Sequence, residues 1–187
     1  MTSSGSVVGD ERLRLFLGFR LPAATARGVT RWQREELGAP ERARLVPEEN
    51  LHVTIAFLGS RPANEVEPIG DALREAVRGV DPPLLTPSRY RETRSVGMLV
   101  LADEGGRATS IAGDAHRRLA ELGVYEPEKR PWLPHVTVVR FRERPGLSPS
   151  IPELGPVTMS DAAVYMSRLR PTGAQYEVVE SVPLGGG

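Results

Sequence analysis

The chain has 187 residues, no cysteine and a formal net charge of zero. This length fits one domain, and the lack of cysteine excludes disulfides, thiolate metal sites and cysteine nucleophiles. The balanced charge argues against a protein that coats nucleic acid along its length, because such proteins are usually strongly basic.

The first half of the chain alternates between strand-like and helix-like patterns of apolar residues. The predicted elements, in chain order, are a strand over Arg12–Leu21, a helix over Ala23–Leu37, an extended piece over Leu45–Pro47, a strand over Leu51–Leu58 and a helix over Asn64–Val77. Pro68 has to lie in the first turn of the second helix, where a missing backbone N–H is tolerated, so the sequence leaves the exact start of this helix open.

The second half repeats this plan. The predicted elements are paired strands over Leu84–Arg94 and Ser95–Ala102, a helix over Ala108–Leu122, a strand over His135–Phe141 and two final strands over Val157–Ser167 and Ala174–Val182. Each half contains a strand–helix–strand unit whose last strand opens with His-Val-Thr, which indicates an internal duplication. We therefore expect an α+β fold with two similar lobes of mainly antiparallel sheet.

The two ends of the chain lack the patterns that predict strands and helices in its body. We expect a flexible arm over residues 1–11, one domain over residues 12–184 and a flexible tail over residues 185–187. The polar N-terminus is unlike a secretory signal, and the longest apolar run, Val96–Ala102, is far too short to span a membrane. A cytoplasmic protein is therefore expected.

Two of the three histidines stand in the same context, since His52 and His135 are each followed two residues later by a threonine, Thr54 and Thr137. In a strand, residues two apart point to one face, so each segment offers an imidazole beside a hydroxyl. Near pH 7 one imidazole can be neutral and another protonated, which suits concerted acid–base chemistry. Threonine hydroxyls can donate hydrogen bonds to phosphate oxygens. The pattern favours phosphodiester cleavage without a metal ion.

Arg140 is a further candidate, because a guanidinium binds phosphate bidentately. It lies three residues after Thr137, so strict strand alternation would place it on the opposite face. It reaches the same site only if the strand ends or bulges there. Phe57 and Trp132 are candidates for stacking on a base, although core packing is the commoner role for such residues.

No metal or cofactor is expected. Two histidines could bind zinc, but a catalytic zinc site usually has a third protein ligand, and no carboxylate lies two residues from either histidine. The third histidine, His116, falls within a predicted helix and is expected to be a partly exposed helical residue.

Longer motifs around these residues resemble the 2H phosphoesterase superfamily. Residues 47–59 and 130–140 are similar to its two His-x-Thr motifs. Residues 14–17 with 21–22 are similar to its opening strand, and residues 167–169 and 173–178 to its closing hairpin. Within the superfamily the chain is similar to bacterial and archaeal RNA 2′,3′-cyclic phosphodiesterases, the LigT-like proteins also called 2′-5′ RNA ligases. Trp132 and Leu133 depart from the Phe and the polar or basic residue that other members often carry there, so contacts with the end nucleotide do not follow from the resemblance.

The resemblance implies a LigT-like bilobal α+β fold with a central cleft, and metal-independent hydrolysis of RNA 2′,3′-cyclic phosphates to 2′-phosphomonoesters. It implies that His52 and His135 form the acid–base pair, that Thr54 and Thr137 hold phosphate oxygens and that Arg140 binds phosphate. We expect His135 to activate water and His52 to protonate O3′. The sequence does not decide these roles, which would exchange in the ligase direction.

Two alternatives remain open at this point. The enzyme could act on 2′-5′-linked or small cyclic nucleotides, or the chain could be a module that binds RNA terminal phosphates without turnover. The expected partners are RNA 3′ ends or small cyclic nucleotides, with no membrane, no obligate protein partner and a monomeric state.

Overall fold

The computed structural model describes residues 11–38, 43–171 and 173–185. The expected flexible arm and tail lie outside the described residues, except for residues 11 and 185. None of the helices in the described part is long and apolar enough to cross a membrane.

Within these residues the chain forms nine strands and three α-helices. The first half contains β1 (Arg12–Arg20), α1 (Ala23–Trp32), β2 (Ala43–Leu45), β3 (His52–Pro62) and α2 (Val66–Val77). The second half contains β4 (Leu84–Glu92), β5 (Val96–Glu104), α3 (Arg107–Glu121), β6 (His135–Phe141), β7 (Val157–Thr158), β8 (Asp161–Arg170) and β9 (Gly173–Pro183).

The described strands form one antiparallel sheet made of two halves. The order is β7-β4-β5-β6-β3-β1-β8-β9, and the short strand β2 also pairs with β6. The β6 half comprises β7, β4, β5, β6 and β2, whereas the β3 half comprises β3, β1, β8 and β9. These halves are the two expected lobes, and the α+β class is confirmed. Between β3 and β6, the one residue pair in the described chain is Val53 with Val136.

The helices cover one face of the sheet. Helix α1 packs on the β6 half, where Val29 lies near Leu99 and Val136, and α2 contacts β8, β9 and α3. Val53 and Val136 are fully buried in this core. Residues next to them along each strand point to the opposite face. The helices do not cover this face at the junction of the halves, and the cleft lies there.

Most predicted strands and helices are observed with ends shifted by a few residues. The single strand predicted over Val157–Ser167 was wrong, because the chain passes there from one half of the sheet to the other. Its first residues pair with β4 as β7, and the remainder pairs with β1 and β9 as β8. The predicted helix over Ala23–Leu37 is α-helical only to Trp32 and continues as a π-helical segment, Gln33–Leu37.

Candidate active site

The narrow junction between the two halves of the sheet brings the two His-Thr pairs together. Val53 lies directly opposite Val136 in an antiparallel bridge. Continuing this register by one residue on each side places Thr54 opposite His135, and His52 opposite Thr137. Each imidazole therefore lies across from the threonine of the other motif, on the face opposite the core.

One main-chain carbonyl and one hydroxyl orient the ring of His52. Its Nδ1 donates to the carbonyl oxygen of Asn50 at 2.8 Å, since a carbonyl oxygen can only accept. Its Nε2 lies 3.0 Å from Thr54 Oγ1 and accepts the hydroxyl hydrogen when the ring is neutral. The Asn50 side chain donates to the carbonyl oxygen of Ala174 at 2.8 Å. The segment before β3 is thereby tied to the start of β9.

His135 is oriented in the same way. Its Nδ1 donates to the carbonyl oxygen of Leu133 at 2.7 Å. Because Nδ1 carries the hydrogen in both histidines, Nε2 is the nitrogen available for proton transfer in each ring. The repeated carbonyl two residues before each histidine thus selects the same tautomer twice.

The surroundings of His52 favour its neutral form. Aromatic rings pack around it, with centroid distances of 4.7 Å to Phe16, 5.4 Å to Tyr176 and 5.7 Å to Tyr165. This burial lowers the pKa of His52 to about 4, and the positive charges of His135 and Arg140 lower it in the same direction. His52 is therefore neutral at pH 7 in the substrate-free protein.

Gly18 makes this close packing possible. It pairs with Thr54 on the neighbouring strand. A Cβ atom at this position would lie 3.2 Å from Cδ2 of His52 and 3.1 Å from the carbonyl oxygen of Val53. The missing side chain lets the imidazole pack closely against β1.

A bulge in β6 turns Arg140 toward the site. Thr137 pairs with Met98 and Arg140 pairs with Val96, so Val138 is an extra residue relative to β5. Directly paired residues share a face, and Met98 and Val96 are two apart on one strand. Arg140 therefore lies on the same face as Thr137. This is the bulge that the sequence required for Arg140 to reach the site.

Strand β3 carries the matching bulge. Thr54 pairs with Gly18 and Phe57 pairs with Phe16, so Ile55 is the extra residue relative to β1. The same reasoning places Phe57 on the cleft face with Thr54, where half of its surface is exposed. The Arg14 guanidinium lies 5.1 Å from the centre of the Phe57 ring. Phe57 and Arg140 thus hold equivalent positions in the two halves.

Each bulge is held by a side chain from a helical segment. Gln33 Nε2 donates to the carbonyl oxygen of Val138 at 2.6 Å, and His116 Nε2 donates to that of Ile55 at 2.7 Å. Gln33 is buried in the π-helical segment after α1. His116 is half-buried and stacks on Tyr125 with ring centroids 4.8 Å apart.

The sequence interpretation missed both of these contacts. Gln33 lies at the helical spacing of the apolar residues Val29 and Leu37, so its burial could have been predicted. Its partner on β6 could not, because nothing local links Gln33 to Val138. His116 was expected to be an ordinary helical residue, and its bond to β3 depends on how α3 docks.

A cavity of about 810 Å³ extends from Thr54 and His135 along the β6 half. Its walls include Phe57, Trp132 and two arginines of β4. The Trp132 indole N–H donates to the carbonyl oxygen of Thr54 at 3.0 Å, so the ring is anchored while it lines the cavity. In the described part of the chain, no three His, Asp or Glu side chains form a cluster that could hold a metal ion.

Comparison with known proteins points to one family. Residues 19–89 match the family model of LigT-like phosphoesterases. The RNA 2′,3′-cyclic phosphodiesterase of Escherichia coli strain K12 is 30% identical over 133 residues, which are 70% of this chain and 73% of that protein. That of Methanothermobacter thermautotrophicus is 28% identical over 181 residues, 90% of this chain and 97% of that protein.

A solved structure shows the same fold. The crystal structure of E. coli LigT complexed with 3′-AMP superposes with a TM-score of 0.78 at 22% identity, covering 93% of this chain and 99% of that one. The bilobal α+β architecture is therefore shared over nearly the whole length of both proteins.

Proposed function

The chain belongs to the family of LigT-like phosphoesterases and is a hydrolase, and from that premise we propose that it opens 2′,3′-cyclic phosphates at RNA 3′ ends to 2′-phosphomonoesters without a metal ion. The names of the relatives support this substrate. The 3′-AMP bound by E. coli LigT carries its phosphate on one of the two oxygens that a cyclic phosphate joins.

The observation that carries the proposal is the matched tautomer of the two histidines at the junction of the halves. His135 Nε2 accepts a proton from water as the water oxygen attacks phosphorus. The P–O3′ bond breaks, and His52 Nε2 gives its proton to the departing O3′. One phosphodiester bond and one water become a 2′-phosphomonoester and a 3′-hydroxyl, and the two imidazoles have exchanged protonation states.

As the proposed acid, His52 has to carry a proton when O3′ departs. Its pKa of about 4 leaves it neutral in the substrate-free protein. His135 is neutral when it acts as the base and then no longer lowers this pKa, and the anionic phosphate offsets the positive charge of Arg140. We propose that His52 takes up its proton as the substrate binds. The acid then forms only in the complex that needs it.

Thr54, Thr137 and Arg140 are proposed to hold the phosphate. All three lie on the cleft face at the junction, where hydroxyl and guanidinium groups can donate to phosphate oxygens. Phe57 offers an exposed ring for stacking on a base. Trp132 is proposed for the same role, with its ring held by the bond to β3.

The direct test uses chelator-treated protein and a short RNA ending in a 2′,3′-cyclic phosphate. We expect complete conversion to the 2′-phosphate in the presence of chelator. Activity that returns only with a divalent ion would contradict the metal-free mechanism, and a 3′-phosphate product would contradict the proposed bond cleavage. Turnover of small cyclic nucleotides but not RNA would shift the proposal to those substrates.

We expect Gln33 to affect activity by holding the bulge that positions Arg140. Gln33→Met removes one of the two donors to the Val138 carbonyl and leaves the Val46 N–H in place, so the bulge loosens and Arg140 loses its position. We expect kcat/KM to fall about tenfold, the size of a typical coupling between neighbouring residues. In the Arg140→Ala background the same change should cost little more. Equal losses in both backgrounds, in a double-mutant cycle, would show that Gln33 has only a structural role.

A further inference from the structure

Two arginines of β4 face the cleft beyond the proposed catalytic pair. Arg89 pairs with Val100 on β5, and Val100 pairs with His135 on β6. In the next row, Arg91 pairs with Met98, which in turn pairs with Thr137. Directly paired residues share a face, so both arginines lie on the face that carries the His-Thr motif.

Both side chains line the cavity that starts at His135, and both are exposed. Other arginines, such as Arg117 and Arg118 on α3, form ion pairs with nearby carboxylates. Neither Arg89 nor Arg91 forms a side-chain hydrogen bond or ion pair with any residue that the structure describes. Their charges are therefore available to a ligand in the cavity.

Acidic side chains also line the cavity. Glu126 and Glu128 line it together with Arg130, and Arg130 is 3.5 Å from Glu128. Among the described residues, Arg89 and Arg91 are not paired with a carboxylate, so an anion in the cavity is attracted to the β4 arginines.

We propose that Arg89 and Arg91 form a subsite for the backbone phosphates of single-stranded RNA upstream of the cyclic end. The proposal rests on the proposed function, which places the cyclic phosphate between the two histidines. Two strand spacings separate Arg89 from His135, or about 10 Å between backbones. Stacked nucleotides rise about 3.4 Å each, so the subsite lies at most about three nucleotides upstream.

The subsite predicts that kcat/KM depends on the length of the RNA substrate. A 2′,3′-cyclic mononucleotide has no upstream phosphate and cannot use it, whereas a tetranucleotide ending in the same cyclic nucleotide can. We expect the wild type to show a kcat/KM at least about tenfold higher for the tetranucleotide. The advantage resides mainly in KM, because the subsite is remote from the reacting bond.

The test compares both substrates in the Arg89→Gln/Arg91→Gln variant. We expect kcat/KM for the tetranucleotide to fall about tenfold or more, and that for the mononucleotide to stay within about twofold. The dependence of log KM on log salt should flatten by about 1.4, because each single-strand phosphate that an arginine neutralises adds about 0.7 to this slope. The matched control is Arg27→Gln/Arg31→Gln on α1, which makes the same charge change away from the cavity and should alter neither substrate.

A binding measurement separates this proposal from the proposed function. Fluorescence anisotropy with a labelled tetranucleotide ending in a 2′-phosphate reports the subsite even in the absence of turnover. The β4 variant, Arg89→Gln/Arg91→Gln, is compared with the control, Arg27→Gln/Arg31→Gln. If the wild type hydrolyses neither substrate, the proposed function fails. The subsite is still supported if the β4 variant binds this RNA at least about tenfold more weakly than the control. Equal losses on mononucleotide and tetranucleotide, or unchanged RNA binding by the β4 variant, would overturn the subsite.

Discussion

Replacing either proposed catalytic histidine by alanine is expected to lower kcat by at least about 10², since a positioned acid or base typically contributes 10²–10⁴. KM should change less, because the residues proposed to bind the phosphate, Thr54, Thr137 and Arg140, remain in place. The measurement is steady-state hydrolysis of an RNA ending in a 2′,3′-cyclic phosphate by His52→Ala and His135→Ala. Near-normal turnover in a folded variant would contradict the two-histidine mechanism.

The residual rates of the two variants distinguish acid from base. In His135→Ala the remaining step needs protonated His52, so its rate should fall as pH rises. In His52→Ala the remaining step needs neutral His135, so its rate should rise with pH. Exchanged slopes would exchange the two roles while leaving the pair intact. Circular dichroism and thermal unfolding of each variant show whether the fold is retained.

The second large effect is on stability below neutral pH. Folding lowers the pKa of His52 from 6.5 to about 4. The unfolded chain therefore takes up this proton first as pH falls. The contribution of His52 to the free energy of unfolding is fully present above pH 6.5, is lost as pH falls toward 4 and is flat below it. We expect a loss of about 3 kcal/mol over this window, since one pKa unit corresponds to about 1.4 kcal/mol.

The measurement is urea unfolding of the wild type and His52→Asn at several pH values between 8 and 4. Carboxylates titrate in both proteins, so the difference between the two curves isolates His52. That difference should shift by about 3 kcal/mol, in favour of the variant, as pH falls from 6.5 to 4. Parallel curves would show that His52 is not held neutral by the fold.

The proposed catalytic pair could be predicted from the sequence because the His-x-Thr pattern that marks it is local. A strand has a period of two, so His52 with Thr54 and His135 with Thr137 share a face whatever the partner strand is. The repeat of this pattern in two strand–helix–strand units also predicted two lobes. The predicted strand over Val157–Ser167 failed for the opposite reason. Whether that chain continues or crosses between halves depends on β4, β1 and β9, which are distant in sequence.

The sequence by itself therefore determined the α+β class, the duplicated plan and the two His-Thr pairs, because periodicity and repetition act within a few residues. Only the tertiary structure decided the rest of the site. The faces of Phe57 and Arg140 depend on one extra residue in each strand, and cross-strand register and the donors Gln33 and His116 set those bulges. The lowered pKa of His52 likewise requires rings from β1, β8 and β9. Register and burial arise from contacts between segments far apart in the chain, which no local pattern encodes.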